Sequence, residues 1–511
     1  MTDIPSEGDS AGRTIMRGAQ ATALGFAIRF TARLLFLFVA GRLYGASLFG
    51  AYVLAAAMVE LAVGAGGLST KKTLFPLLDR HEAGDRPLAH YVVDAALLVG
   101  SASLALAGAF ILVAFLLPPS LLHADARTAF VLLAPMIAGQ ALLDLFLAAA
   151  RWKQKIRYEV ISRSLIEPYA LAAGSIAAFF LGFGAHGLLI GYWCGTLAAL
   201  AYAVFGAARS FHGFALGRYR PSGATFRWLA GAATANTAND LLSALYMRVD
   251  LYLVGILLGP GPTGIYGMAR QVTTPIRQVR QSFDGLLVPA VAKTIGVRGA
   301  GGSREALATA TRLILVIQLP ILIALFAIGP RLMSLLGHGF AAGYWPLVIL
   351  ASAEVLQSAL GIGDLVFVYL RPRIGLFLTM ISIAVGIATA FLLIPRYGII
   401  GAAFALFAAY ALRTILRSLV LRTRFAVAVP HAHLAGPFAA AAAAAAAVLL
   451  IPKDLLAAAA GLSLYAIILF AWLRATGQSL SLTGFVAERL DVRMLDKGAR
   501  GDASLPDEEG G

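Results

Sequence analysis

The chain has 511 residues, 59% of them apolar and 13% charged, with a mean hydropathy of +0.81 and a formal net charge of +15. That balance excludes an ordinary soluble domain, which is about half apolar and a quarter charged, so lipid is the expected solvent. In hydrocarbon every backbone amide and carbonyl needs an internal partner, and unbroken apolar runs of about 20 residues specify helices rather than the shorter alternating strands of a barrel.

The expected fold class is therefore all-α, a polytopic membrane protein of about 14 transmembrane helices. Residues 1–17 are polar, carry Arg13 and Arg17, and precede an apolar run with no small-residue cleavage site, so the first helix is expected to stay as an anchor. Apolar windows then place helices near 18–42, 48–70, 89–117, 128–150, 158–181 and 186–208, an N-lobe spanning 18–208. A basic loop at 209–225 tethers it to a C-lobe at 226–421, with helices near 226–257, 262–290, 305–329, 343–368, 374–394 and 399–421. Two more helices, 434–451 and 455–474, lead to a tail at 475–511 whose polar, acidic end reads as disordered. The single cysteine, Cys194, lies in an apolar stretch and allows no internal disulfide.

Where the 41 Lys and Arg lie matters more than their sum. When loops are assigned to alternate sides, most fall on one side, from Arg13 and Arg17 through Lys71, Lys72, Arg151, Lys153, Arg218 and Arg220 to Arg413, Arg417, Arg422 and Arg424. The other side has only Arg127, Arg331, Arg396 and Lys453. The positive-inside rule then puts both termini in the cytoplasm, and a bacterial cytoplasmic (inner) membrane is the expected location.

The sequence repeats itself. Gly45, Gly50 and Tyr52 in LYGASLFGAY match Gly259, Gly264 and Tyr266 in LLGPGPTGIY, each pair 214 positions apart. Arg157 and Arg371 keep that offset, as do Gly184 and Gly187 with Gly398 and Gly401, while Pro76 and Pro289 fall one residue off it. Six helices per copy insert in the same orientation and are related by an axis along the membrane normal, so two lobes can rock about a central cleft.

The stretches GRLYGASLFGAYVLAAAMVELAVGAGGL (41–68), RVDLYLVGILLGPGPTGIYGMARQV (248–272) and PRYGIIGAAFA (395–405) resemble the polysaccharide-transport branch of the multidrug/oligosaccharidyl-lipid/polysaccharide (MOP) exporter superfamily, the Wzx-type flippases. The resemblance implies two six-helix, MATE-like lobes plus two extra helices. It also implies translocation of a polyprenyl-pyrophosphate-linked oligosaccharide by alternating access, with the first, second, seventh and eighth helices lining the cleft. Membrane lipids, a polysaccharide polymerase and chain-length proteins are the other expected partners, and no nucleic acid is.

A charge at mid-bilayer costs from about 3 to more than 10 kcal/mol, so such residues should face protein, water or ligand. Arg270, Arg277 and Arg280 are spaced to share one face of the eighth helix, Arg29 and Arg33 are four apart on the first, and Arg248 lies on the seventh. These six are the candidate substrate-binding residues of a cleft that is almost purely cationic, because forked guanidinium donors suit phosphate oxygens. Asn236, Asn239, Asp240, Asp250 and Asp284 are candidate coupling or polar cleft residues. Arg42, Arg163 and Arg312, near expected helix ends, are assigned structural roles, and the acidic residues within spans are expected mostly to pair. The eight histidines show no metal-ligand spacing and there is no phosphate loop, so no enzyme activity, metal or cofactor is expected, with H+ or Na+ left as coupling ions. Rival readings are a MATE-type drug/cation antiporter, which expects a carboxylate-rich cavity, and a lipid II flippase. A membrane polysaccharide polymerase or ligase is disfavoured by the short expected outer loops.

Overall fold

The computed structural model describes residues 30–476, apart from 284–303, 426–431 and short breaks at 83, 85, 119–122, 215–216, 218, 365, 368–370 and 452–453. The described residues are helical, with no strand among them. Eight of these helices are long and apolar enough to cross a membrane, and a ninth forms if Ala124–Leu133 and Met136–Trp152, bent by 42°, count as one. The count of fourteen is not established by that measure.

Two of the eight are hairpins. The helix at 30–44 (α1) ends in a π-turn, Ala40–Tyr44, and gives way at Gly45, φ 74°, to α2 (Gly45–Gly66). Phe36 and Tyr52 would be about 24 Å apart along one straight helix, yet their rings touch edge to face at 5.7 Å, so the chain doubles back. The segment Pro372–Phe425 likewise breaks at Gly398, φ 58°. An added Cβ on Gly386 would sit 3.2 Å from that of Ala409, which requires the two halves to run side by side.

The first turn of the C-lobe repeats the device. A 36-residue helix, Gly223–Leu258, meets Pro260–Val272 at Gly259, φ 81°. Gly45 and Gly259, and Gly184 (φ 47°) and Gly398, are the matched glycines of the 214-residue repeat. All four adopt left-handed backbone where an L side chain would be strained.

Between Gly66 and Leu88 lies a helix the hydropathy windows do not reveal, Thr70–Arg80 (α3), which Leu68 and Ser69 set off with φ of 49° and 48°. Leu74, Leu77 and Leu78 are fully buried while Lys72 and Asp79 face outwards, the spacing of an amphipathic surface helix. Pro76 lies inside α3 rather than at the end of the preceding helix. The remaining elements of the first half are α4 (Leu88–Leu116), α5 (Ala124–Leu133), α6 (Met136–Trp152), α7 (Arg157–Ile161), α8 (Glu167–Phe180) and α9 (Gly187–Ser210). The second half has α10 (Gly223–Leu258), α11 (Pro260–Val272), α12 (274–283), α13 (Arg304–Leu336), α14 (Tyr344–Ala359), α15 (372–397) and α16 (399–425). The helices Ala432–Leu450 (α17) and Leu455–Thr476 (α18) pack on one another and on α13.

The two halves meet where α2 crosses α11. A Cβ on Gly50 would overlap the carbonyl oxygen of Pro260 and come within 2.6 Å of the Gly264 nitrogen. A Cβ on Gly264 would overlap the carbonyl of Ala46 and come within 3.0 Å of the Gly50 nitrogen. Ala46 and Pro260 are themselves 214 apart, so each helix offers the partner the equivalent patch, as a two-fold axis between the halves demands. Small residues four apart allow this backbone-to-backbone approach.

The linker is strapped down. Asp94, fully buried on α4, accepts from Arg86 at 2.6 Å and from the Tyr219 hydroxyl at 2.5 Å, and Arg86 also donates to the Arg220 carbonyl at 2.8 Å. Burial and the bond to Asp94 push the Tyr219 hydroxyl up to about 12, so it remains a donor at neutral pH.

Candidate functional site

Arg248 and Arg270 each lie eleven residues from Gly259 and Arg33 twelve from Gly45. At 1.5 Å per residue that is about 16–18 Å below the turns, half-way through a hydrocarbon layer about 30 Å thick. At this depth a cavity of ≈ 390 Å³ lies between the halves, with Arg33, Arg248, Arg270, Arg277, Gln271 and Gln281 among its lining residues. A second cavity, of ≈ 320 Å³, reaches into the N-lobe and shares Val53, Glu60, Arg248 and Gln271 with the first, so the two are parts of one cleft.

The arginines are held in different ways. Arg270, 7% exposed, pairs with Asp250 and donates to the Met247 carbonyl, while the Tyr266 hydroxyl bonds the same carboxylate at 2.5 Å. This buried triad ties α10 to α11 below their hairpin. Arg277 bonds Glu354 of α14 at 3.1 Å, and Arg248 pairs with Glu60 of α2 across the lobes. Arg33 donates to the neutral amide of Gln271, also across the lobes.

Arg280 does not join them. The helix breaks between Val272 and Thr274, yet Arg270 and Arg277 on either side of the break still line the cavity, while Arg280, about 60° round the helix from Arg277, does not. The Arg280 guanidinium instead lies against Gly361, where an added Cβ would approach its Nη1 to 2.8 Å. Nearby, Asp364 accepts from Arg413 at 3.2 Å and lies 3.1 Å from Arg417. Arg417 is 1% exposed, so Arg413 and Arg417, counted above with a cytoplasmic loop, belong to the C-lobe interior.

Arg163 departs most from its expected place. A π-turn, Ser162–Ile166, between α7 and α8 carries it into the N-lobe cavity, where it pairs with Asp144 and bonds Glu167 at 2.8 Å and Gln140 at 3.1 Å. Such turns insert one residue and re-aim a side chain. Five guanidinium groups and three carboxylates, Glu60, Asp144 and Glu167, line the cleft, and Asp250 and Glu354 pair two of the arginines, so it is far from the almost purely cationic cleft expected. Of the acidic residues within expected spans, each described one, from Glu60 to Asp364, faces an Arg or Lys within 4 Å.

Asp240 lies not in the cleft proper but at its end away from the hairpins, bonded to Ser69 at 2.7 Å and Lys72 at 2.5 Å beside a further cavity of ≈ 340 Å³. Arg29 and Asp284 lie outside the described residues, as do the side chains of Asn236 and Asn239. Tyr52, Tyr192 and Gln140 line the cleft without having been singled out. The offset of Tyr52 from Tyr266 was the one signal pointing to that position.

Paired lobes that meet on a two-fold axis around a charged midplane cleft define a membrane transporter architecture. Known proteins agree. The chain superposes with a TM-score of 0.63 on an inward-facing multidrug resistance MATE family transporter of the MOP superfamily, at 14% identity over 78% of this chain and 94% of that one. An outward-facing MATE family transporter of the same superfamily gives 0.55, at 15% identity over 81% and 95%. Residues 101–340 match the family described as polysaccharide biosynthesis protein. A probable low-salt glycan biosynthesis flippase of Haloferax volcanii is 22% identical over 275 residues, 53% of this chain and 57% of that protein, so the likeness spans little more than half the relative's length. The resemblance read from the sequence is supported on these counts: the chain is a multi-pass membrane protein with the fold of MATE family transporters, and its residues 101–340 are similar to polysaccharide biosynthesis proteins.

Proposed function

We propose that the protein is a flippase that carries a lipid-linked oligosaccharide, joined through a polyprenyl pyrophosphate, from the cytoplasmic to the outer leaflet by alternating access. The observation that carries this reading is the cavity between the lobes at mid-bilayer depth, where four arginines meet and Arg33 is bonded to a neutral amide rather than to a carboxylate. A diphosphate needs fixed charge and several donors, and a cleft walled by protein spares it the cost of entering hydrocarbon. Arg33 also favours this reading over an antiporter for cationic drugs, which a guanidinium bonded to a neutral amide would repel. Catalysis and a cofactor have no part in the proposal, and the coupling ion is H+ or Na+.

In this reading the basic loops lie inside, the glycine-packed hairpin end faces outwards, the Lys72 end faces the cytoplasm, and both termini are cytoplasmic in a bacterial inner membrane. A polymerase and chain-length proteins would then act on the product at the outer face. The test is transport by purified protein in proteoliposomes, read as protection of a fluorescent lipid-linked oligosaccharide from a membrane-impermeant glycosidase. Wild type should transfer the lipid between leaflets and Arg33→Ala should lose at least tenfold in rate, about 1.4 kcal/mol of binding or barrier. Equal rates in empty and protein-containing vesicles would end the reading.

A further inference from the structure

Charge is not spread evenly along the cleft. Apart from the Glu60–Arg248 pair that both sides share, the C-lobe side has Arg33, Arg270 and Arg277 against the paired carboxylates Asp250 and Glu354. The N-lobe side has Arg163 against Asp144 and Glu167. The cleft therefore carries a dipole, positive towards the C-lobe and slightly negative towards the N-lobe.

The N-lobe part is a built cavity. Arg163 is fixed by two carboxylates and by the Gln140 carbonyl, and the Gln140 amide nitrogen donates to Glu167 and to Thr196, both at 3.0 Å. Each oxygen of Glu167, which lines the cavity, takes one of these bonds, and a carboxylate can accept about four, so Glu167 can accept further donors. Tyr52 and Tyr192 form the apolar wall, with ring centroids 6.1 Å apart and edge to face. Carboxylate and amide acceptors beside aromatic faces suit a sugar ring, which offers a rim of hydroxyl donors and flat faces of C–H groups. The guanidinium groups that line this half, Arg163 and Arg248, are already paired with Asp144, Glu167 and Glu60.

Resting on the flippase reading, we infer that the N-lobe cavity is the glycan subsite, that the pyrophosphate occupies the C-lobe side, and that Asp144 and Glu167 select a neutral or amino sugar next to the pyrophosphate over an acidic one. Two groups in a single substrate are thereby separated by the charge of the two halves. Like charges brought together in a poorly solvated cavity are costly, so a uronic acid is rejected by repulsion as much as a neutral sugar is held by hydrogen bonds.

The experiment compares three lipids on the full-length protein in nanodiscs: polyprenyl pyrophosphate with no sugar, with one N-acetylhexosamine, and with one hexuronic acid. Wild type should bind the N-acetylhexosamine lipid about tenfold more tightly than the uronic acid lipid. In Asp144→Asn/Glu167→Gln that ratio should fall towards one, mainly because the uronic acid lipid binds better. A wild-type preference for the uronic acid lipid, or no preference, overturns the inference whether or not the variant folds, and so does an unchanged ratio in a variant that still binds lipid. Sugar-free lipid separates the two levels: if wild type binds none of the three, the flippase reading itself falls, whereas binding of sugar-free lipid without discrimination between sugars removes the subsite alone.

Discussion

Among single residues, the arginines of the cleft divide by what would remain if each were removed. Arg270 and Asp250 are both buried, and loss of either partner strands a charge, so Arg270→Ala or Asp250→Asn should lower stability by about 3–5 kcal/mol, read as earlier thermal unfolding of the purified protein. Arg277→Ala is a poor probe of transport for a related reason: it leaves Glu354, 3% exposed, unpaired. The pair Arg277→Gln/Glu354→Gln removes both charges and should be tolerated better than Arg277→Ala, by about 1–3 kcal/mol in the same measurement. If the double variant were the less stable of the two, the ion pair would not be what holds Glu354. Arg33, bonded to an amide, is the position where loss of charge and loss of fold separate most cleanly.

Turns and crossings dominate among the elements. The left-handed glycines at Gly45, Gly184, Gly259 and Gly398 allow tight reversals, and Gly398→Ala should cost about 1–2 kcal/mol through backbone strain alone, since an added Cβ there meets nothing within 4 Å. The α2–α11 crossing is sterically stricter. Gly50→Val and Gly264→Val must each push backbone away from backbone, and because the two sites are related by the two-fold axis they should cost alike, about 1–3 kcal/mol or more. Unequal costs, one variant neutral and the other severe, would contradict the symmetric contact.

Across the whole molecule, the two ends of the cleft are closed by different forces. At the hairpin end the lobes are joined by close packing of α2 on α11 and of Gly41 on the Leu336 carbonyl. At the other end the described contacts include the half-exposed pair of Lys72 and Asp240, and exposed pairs contribute at most about 1 kcal/mol. A pair this weak is suited to repeated opening. In a Cys194→Ser background, joining Lys72→Cys to Asp240→Cys with a short bifunctional methanethiosulfonate, which replaces the span of the lysine side chain, should stop transport and dithiothreitol should restore it. Undiminished transport by the cross-linked protein would show that this end need not open.

Much of this architecture was legible in one dimension. Hydropathy demanded helices because lipid satisfies no backbone group, and the 214-residue offset exposed the duplication because Gly45, Gly259, Gly184 and Gly398 need backbone angles that other residues resist. Spacing also found Arg33, Arg248, Arg270 and Arg277, since guanidinium groups are too costly in a span to be incidental. What spacing does not encode is the partner across space. Glu60 reaching Arg248, the π-turn that aims Arg163 inwards, and Gly361 receiving Arg280 all arise from helices distant in sequence or from a local change of helical period. A face computed from a straight helix therefore assigned Arg280 to the cleft and Arg163 away from it. The sign of charge inside the cleft was decided only when the two lobes came together, because Coulomb energy depends on distance in space and not along the chain.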